Sequence, residues 1–143
     1  MKKILLSLLL LFPVLSHAND VIAFDGECYV QGKDSTAKTC QIAITSENGS
    51  NYQMLQLDKK YYLEQGPNGE LLNLDKANYV FETPSDCYNT CGYKVGTSVD
   101  KLKNAKRFFR DYKTKKIVTE IKDGDWICNK QTQGNLEVCY VVK

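Results

Sequence analysis

The sequence predicts a mostly β, α+β domain: a small antiparallel sheet, sandwich-like or barrel-like, with one basic amphipathic helix and a set of disulfide staples. Three observations lead there. Short alternating or β-branched segments recur along the chain, each bounded by Gly, Asn, Asp or Pro. The six cysteines fall as three close-set pairs. One stretch, near residues 98–112, leaves the two-residue period for helical spacing.

The front of the chain sets the compartment. Met1-Lys2-Lys3 is a short basic start, and Ile4 to Phe12 is an apolar run interrupted by Ser7 and stopped by Pro13. Ser16-His17-Ala18 places small residues where a signal peptidase reads them. Charge, apolar stretch and small-residue exit in that order describe a secretory signal peptide. The apolar stretch ends at Leu15, short of the ~20 residues a membrane-crossing helix needs. Cys28 lies too far beyond the run to carry a lipid anchor. The expectation is a cleaved leader, 1–18, followed by one disulfide-stabilised globular domain, 19–143. That domain is periplasmic or secreted and does not span the membrane.

Along the domain, Val21–Phe24 and Cys28–Gln31 read as short strands split by an Asp25-Gly26 turn. Gly32–Thr39 is polar and loop-like. Cys40–Thr45 alternates, with Cys40, Ile42 and Ile44 on one side. Glu47-Asn48-Gly49-Ser50 is a hairpin signal, because Asn-Gly tolerates the positive φ of tight turns. Tyr52–Leu57, Tyr61–Glu64, Leu71–Leu74 and Tyr79–Glu82 read as further strands, with a turn at Gln65–Gly69. Val99, Leu102, Ala105, Phe109 and Tyr112 then recur at helical spacing, with Thr97 or Ser98 as the cap. Lys116–Ile121, Trp126–Cys128 and Leu136–Val142 return to strand, with turns at Asp123-Gly124-Asp125 and Gln131–Asn135. Trp126 opens an apolar strand and is expected to anchor the core.

In an oxidising compartment cysteines pair. Chain proximity favours Cys28–Cys40, Cys87–Cys91 and Cys128–Cys139, each closing a short loop worth about 2–4 kcal/mol. Three residues separate Cys87 from Cys91, whereas redox pairs have two, so this pair also reads as structural. The only histidine, His17, leaves with the leader. That removes a Ser-His-Asp triad, a Cys-His pair and a His-ligated zinc site. No metal, cofactor or catalytic residue is expected.

Removing Lys2 and Lys3 with the leader leaves seventeen basic and seventeen acidic residues. The neutral sum hides a polarised chain. Lys101, Lys103, Lys106, Arg107, Arg110, Lys113, Lys115 and Lys116 are opposed in their window only by Asp111. On a helix, Lys103, Lys106, Arg107, Arg110 and Lys113 share one face, which suits an anionic partner. Such a face is also the ordinary solvated side of a helix. No aromatic–basic stacking motif accompanies it, which argues against nucleic acid. Ser98-Val99-Asp100-Lys101 has the form S-x-x-K, but without its companion motifs it reads as a cap followed by a surface lysine.

The function expected is therefore non-enzymatic binding. An inhibitor or immunity-type protein that binds another protein of the cell envelope comes first. A module that takes anionic envelope lipid or glycan on the basic helix comes second. A carboxylate-based hydrolase of cell-wall glycan comes third.

Overall fold

The computed structural model describes residues 21–32, 34–47, 49–58, 63–68, 71–84 and 92–143. The leader, Asn48, and the Cys87–Cys91 pair lie outside the described residues. Among the described residues eleven strands follow one another: β1 (Ile22–Val30), β2 (Asp34–Glu47), β3 (Ser50–Gln56), β4 (Glu64–Gln65), β5 (Leu71–Leu72), β6 (Tyr79–Pro84), β7 (Lys94–Gly96), β8 (Lys103–Arg110), β9 (Ile117–Val118), β10 (Trp126–Gln131) and β11 (Glu137–Val142). Every pairing is antiparallel.

The main sheet runs β10-β11-β1-β2-β3-β6-β7-β8-β9, and β8 also pairs with β10. That extra pairing closes eight strands into a barrel, with β9 as a short appendage of β8. Around the wall each long strand neighbours the next in sequence, an up-and-down meander. The connections after β1, β3, β7 and β10 therefore gather at one end, and those after β2, β6 and β8 at the other. β4 and β5 form a separate ribbon inside the β3–β6 connection.

Alternation fixes what fills the barrel. Cys28, Val30, Cys40, Ile42, Leu55, Phe81, Val95, Ala105, Val138 and Tyr140 form one inward cluster, edged by Phe24, Leu57, Tyr79, Ile127 and Leu136. The expected Cys28–Cys40 disulfide is present and lies in this cluster. Phe81 and Tyr140 meet edge to face at 5.3 Å. Truncating a fully buried ring such as Phe81 costs about 3–5 kcal/mol in transfer and cavity energy.

A second cluster lies on the opposite face of the same wall. Tyr29, Trp126, Cys128, Cys139 and Val141 pack there with Ala37 and Phe108. The expected Cys128–Cys139 disulfide bridges directly paired residues of β10 and β11. Trp126 is 1% exposed, as its anchoring role requires. Its Nε1 donates to the Tyr112 carbonyl at 3.0 Å. Its ring meets Tyr29 edge-on at 4.8 Å and stacks on Tyr112 at 5.4 Å. The chain after β8 folds back over this face. Asp111 Oδ1 accepts from the Lys113 and Thr114 amides, and Lys115 closes the turn at φ 56°. Lys115 Nζ then reaches the Ser35 carbonyl and sits 4.3 Å from the Tyr29 ring centroid. Ser35 is available because β2 bulges against β1 between the Cys28 and Val30 register positions.

Three expectations are corrected, the first being that Gly32–Thr39, expected as a loop, is strand from Asp34 onward. Residues 98–112 do not form a helix: Val99–Lys101 is a single 3₁₀ turn and Lys103–Arg110 is strand β8. Ser98 makes no side-chain cap bond. The helical spacing arose because β8 is covered on both faces. Ala105, Arg107 and Phe109 alternate inward, while Phe108 and Arg110 lie under the folded-back chain. Adjacent Phe108 and Phe109 are then both needed, and alternation disappears from the sequence. Asp25-Gly26 likewise is no turn but lies inside β1. Gly26 is there because a Cβ would meet the Val141 carbonyl oxygen at 2.4 Å and Ile42 Cδ1 at 2.6 Å. By contrast Asp123-Gly124-Asp125 is the turn expected, with Gly124 at φ 88° and Asp125 Oδ2 accepting from the Lys122 amide.

Two predictions follow from this packing. Gly26→Ala forces backbone apart and destabilises by about 2–3 kcal/mol in urea unfolding, with the slope unchanged. The chain end is also held, since Lys143 Nζ and the Tyr112 hydroxyl both bond the Glu27 carboxylate. The bond from Lys143, then that from Tyr112, hold the Glu27 carboxyl below the usual glutamate range. A depressed acid contributes above the unfolded value and its contribution is lost as pH falls through the folded one. Tyr112 ring signals followed by NMR should therefore stay native through the ordinary glutamate titration and change only below it.

Candidate functional site

A strand distributes the five basic residues singled out above quite differently from a helix. Lys103 and Lys113 are exposed; Lys103 opens β8 and Lys113 lies past its other end. At about 3.3 Å per residue, roughly 23 Å separates the two ends of that strand alone. Lys106 is exposed on the outer wall, opposite exposed Lys130 of β10. Arg110 is 16% exposed and locked to Glu137, which is 5% exposed, at 2.8 Å. Its Nε and Nη2 both donate to Glu137 Oε1, and its Nη1 donates to the Lys115 carbonyl at 2.8 Å. Arg110 is therefore an internal brace of the covered face. Arg107 points into the barrel, where its Nε donates to Asn129 Oδ1 at 3.0 Å and its Nη2 to Thr83 Oγ1 at 3.1 Å. The five do not form one surface.

A coherent surface does exist at the end that carries the connections after β1, β7 and β10. An open cleft of about 480 Å³ lies between the 97–103 segment and Gln131 and Leu136. A second, of about 460 Å³, shares Leu102 and Lys103 with it and adds Lys94, Asn104, Thr132 and Gln133. A third, of about 350 Å³, shares Leu136 and adds Val30, Gln31, Gly32 and Asn135. The three adjoin across the barrel mouth. Leu102, Leu136 and Val30 give the first and third clefts an apolar floor, while the second is mostly polar, and lysines, threonines, side-chain amides and Asp100 line the rest.

The mouth is rigidly built. The Thr132 amide and hydroxyl both donate to the Asn104 carbonyl, at 2.9 and 3.2 Å, tying the β10–β11 turn to β8. Gln131 Nε2 donates to the Val95 carbonyl at 3.2 Å. The 97–102 turn lies so close to β7 that a Cβ on Gly96 would come within 2.3 Å of the Lys101 carbonyl oxygen. Lys101 and Lys103 are exposed, and among the described residues neither has an acid within ion-pairing distance. Lys94, between the clefts and β6, is paired with Glu82 at 3.6 Å. Asp100 supplies the opposing charge in the first cleft.

Of the sequence candidates only Lys103 belongs to this mouth. Leu102 reads in the sequence as a helix position, Gln131 as the start of a plain turn and Leu136 as the start of a strand, so none of the three stands out as part of a site. Assigning connections to barrel ends needs a correct strand count, and the helix reading removed one strand. Cys128, Glu137 and Cys139 lie within 4.8 Å of one another, but both sulfurs are in the disulfide, so they are not a metal site. Asp125 and Glu137, the buried carboxylates among the described residues, are both committed to internal bonds.

Comparison with known proteins gives no parallel: no family model, no curated protein and no solved structure matches the chain.

Substitution separates the braces from the surface charges. Arg110→Ala leaves Glu137 buried and unpaired, and should destabilise by about 3–5 kcal/mol. Lys106→Glu and Lys113→Glu should stay within about 0.5 kcal/mol of the wild type. Chemical denaturation of the three variants checks the contrast.

Proposed function

We propose that this chain is an exported, non-enzymatic binding protein that engages another protein of the cell envelope, as an inhibitor or immunity-type protein does, through the barrel mouth. The leader-like sequence of residues 1–18 supports a periplasmic or extracellular location. Two disulfides in the described body suit that location, and no helix among the described residues is long and apolar enough to cross a membrane.

The observation that carries the reading is the continuous mouth itself. Fully buried side chains such as Ile42, Leu55, Phe81 and Val95 fill the barrel body. Recognition is thus assigned to a rim rather than to an enclosed ligand cavity. Apolar Leu102, Leu136 and Val30 ringed by amides and lysines match the composition of an interface whose centre is desolvated and whose edge stays wet. Lys101 and Lys103, which have no acid within ion-pairing distance among the described residues, favour a partner segment that presents carboxylates around an apolar residue. Anionic lipid or glycan recognition was tied to one helical basic face, and β8 scatters that face over two ends and the lumen.

Pull-down from envelope extract with the oxidised domain, followed by mass spectrometry, identifies the partner. Replacing Leu102 with Asp, or Lys101 and Lys103 together with Glu, should weaken that partner's binding by about tenfold or more. Lys113→Glu, at the far end, should leave it unchanged. Equal losses from both ends, or loss from neither, would contradict recognition at the mouth.

A further inference from the structure

Arg107 stands apart from the mouth. Its partners include Thr83, late in β6, and Tyr93, just before β7, so its guanidinium faces the opposite end of the barrel. The residues around it are neutral. Asn129 Oδ1 and Thr83 Oγ1 accept its two bonds, and the Tyr93 ring lies 4.3 Å from the guanidinium carbon. Thr83 in turn donates to Gln53 Oε1 at 3.4 Å, and Asn129 Nδ2 donates to the Lys94 carbonyl at 3.4 Å. Among the described residues no carboxylate pairs with Arg107. Arg110, three residues on, shows what this chain does when it neutralises a buried guanidinium: it supplies Glu137.

Desolvating a cation without a counter-charge costs several kcal/mol. A guanidinium carries five N–H donors, and the bonds to Asn129 and Thr83 leave three of them. Asn129, Gln53 and Tyr140 form a buried floor at 0%, 8% and 7% exposure. Arg107, Thr83 and Tyr93 are each half-buried, so this end of the barrel is not sealed from solvent. We propose that Arg107 is the cationic centre of a second site, at the end opposite the mouth, which takes one small oxyanion of the carboxylate or phosphate class. The planar guanidinium fork suits two such oxygens side by side, and the Tyr93 ring backs it on one face.

The test uses the oxidised wild-type chain titrated with sodium acetate and with sodium phosphate against sodium chloride at fixed ionic strength. One or both oxyanions should raise the melting temperature by about 2 °C or more over chloride. The Arg107 Nε–H and Asn129 side-chain amide signals should shift saturably by NMR. Both effects should vanish in Arg107→Gln and survive in Lys101→Glu, whose change lies at the mouth. Wild-type signals that respond to neither oxyanion would mean that the chain neutralises Arg107 from within, and the site would fall. Saturable shifts confined to mouth residues, or persisting in Arg107→Gln, would overturn it equally. If Arg107→Gln does not fold, the wild-type Arg107 cross-peak decides alone.

Discussion

The pairing of β8 with β10 is the contact on which the rest of this molecule depends. Six consecutive register pairs, from Arg110↔Trp126 to Ala105↔Gln131, turn a curved sheet into a closed wall. Without them two long edges would expose unpaired amides and carbonyls, and the lumen would open to water along its length. The flanking structure converges on this seam. The chain beyond β8 folds over its outer side, the Cys128–Cys139 disulfide ties β10 to β11, and the Arg110–Glu137 pair spans β8 and β11 across β10. On the inner side Arg107 and Asn129, which face each other in the register, are joined by a hydrogen bond. A one-residue slip would reverse inside and outside for every one of these groups.

Much of this wall was legible in the chain. Cys40, Ile42 and Ile44 alternate cleanly because β2 has distinct inner and outer faces, and the Glu47–Ser50 hairpin carries its own turn chemistry. Cys28–Cys40 and Cys128–Cys139 follow from proximity, since adjacent antiparallel strands bring such pairs together. The strands that defeated the reading are those with two covered faces. β8 buries Phe109 inward and Phe108 outward, and it also sends an arginine inward, so neither alternation nor polarity marks its direction. Gly26 misled for a related reason. It looks like a turn residue, yet its role is to let two strands approach where a methyl group would collide.

The functional surfaces were harder to read because they are products of topology. Lys103 and Lys113 are ten positions apart and would share a helix face, yet a strand sends them to opposite ends. Leu102 and Leu136 are distant in sequence and meet only because the meander brings the connections after β7 and β10 to the same rim. Arg107 looked like one member of a basic patch, and it instead turns inward to bond Asn129 and Thr83. Filling the barrel with side chains leaves two ends with distinct chemistry: an apolar floor with lysines at one, a guanidinium among hydroxyls and amides at the other.

Assignment of β8 can be checked without any partner or ligand. Nuclear Overhauser contacts measured on the isotope-labelled, oxidised domain distinguish the alternatives at once. A closed barrel predicts cross-strand contacts between residues 105–110 and 126–131 in the Arg107↔Asn129 register, with slow amide exchange along the seam. Sequential amide contacts and i to i+3 contacts through residues 98–112, without cross-strand partners, would contradict closure and with it the placement of both ends.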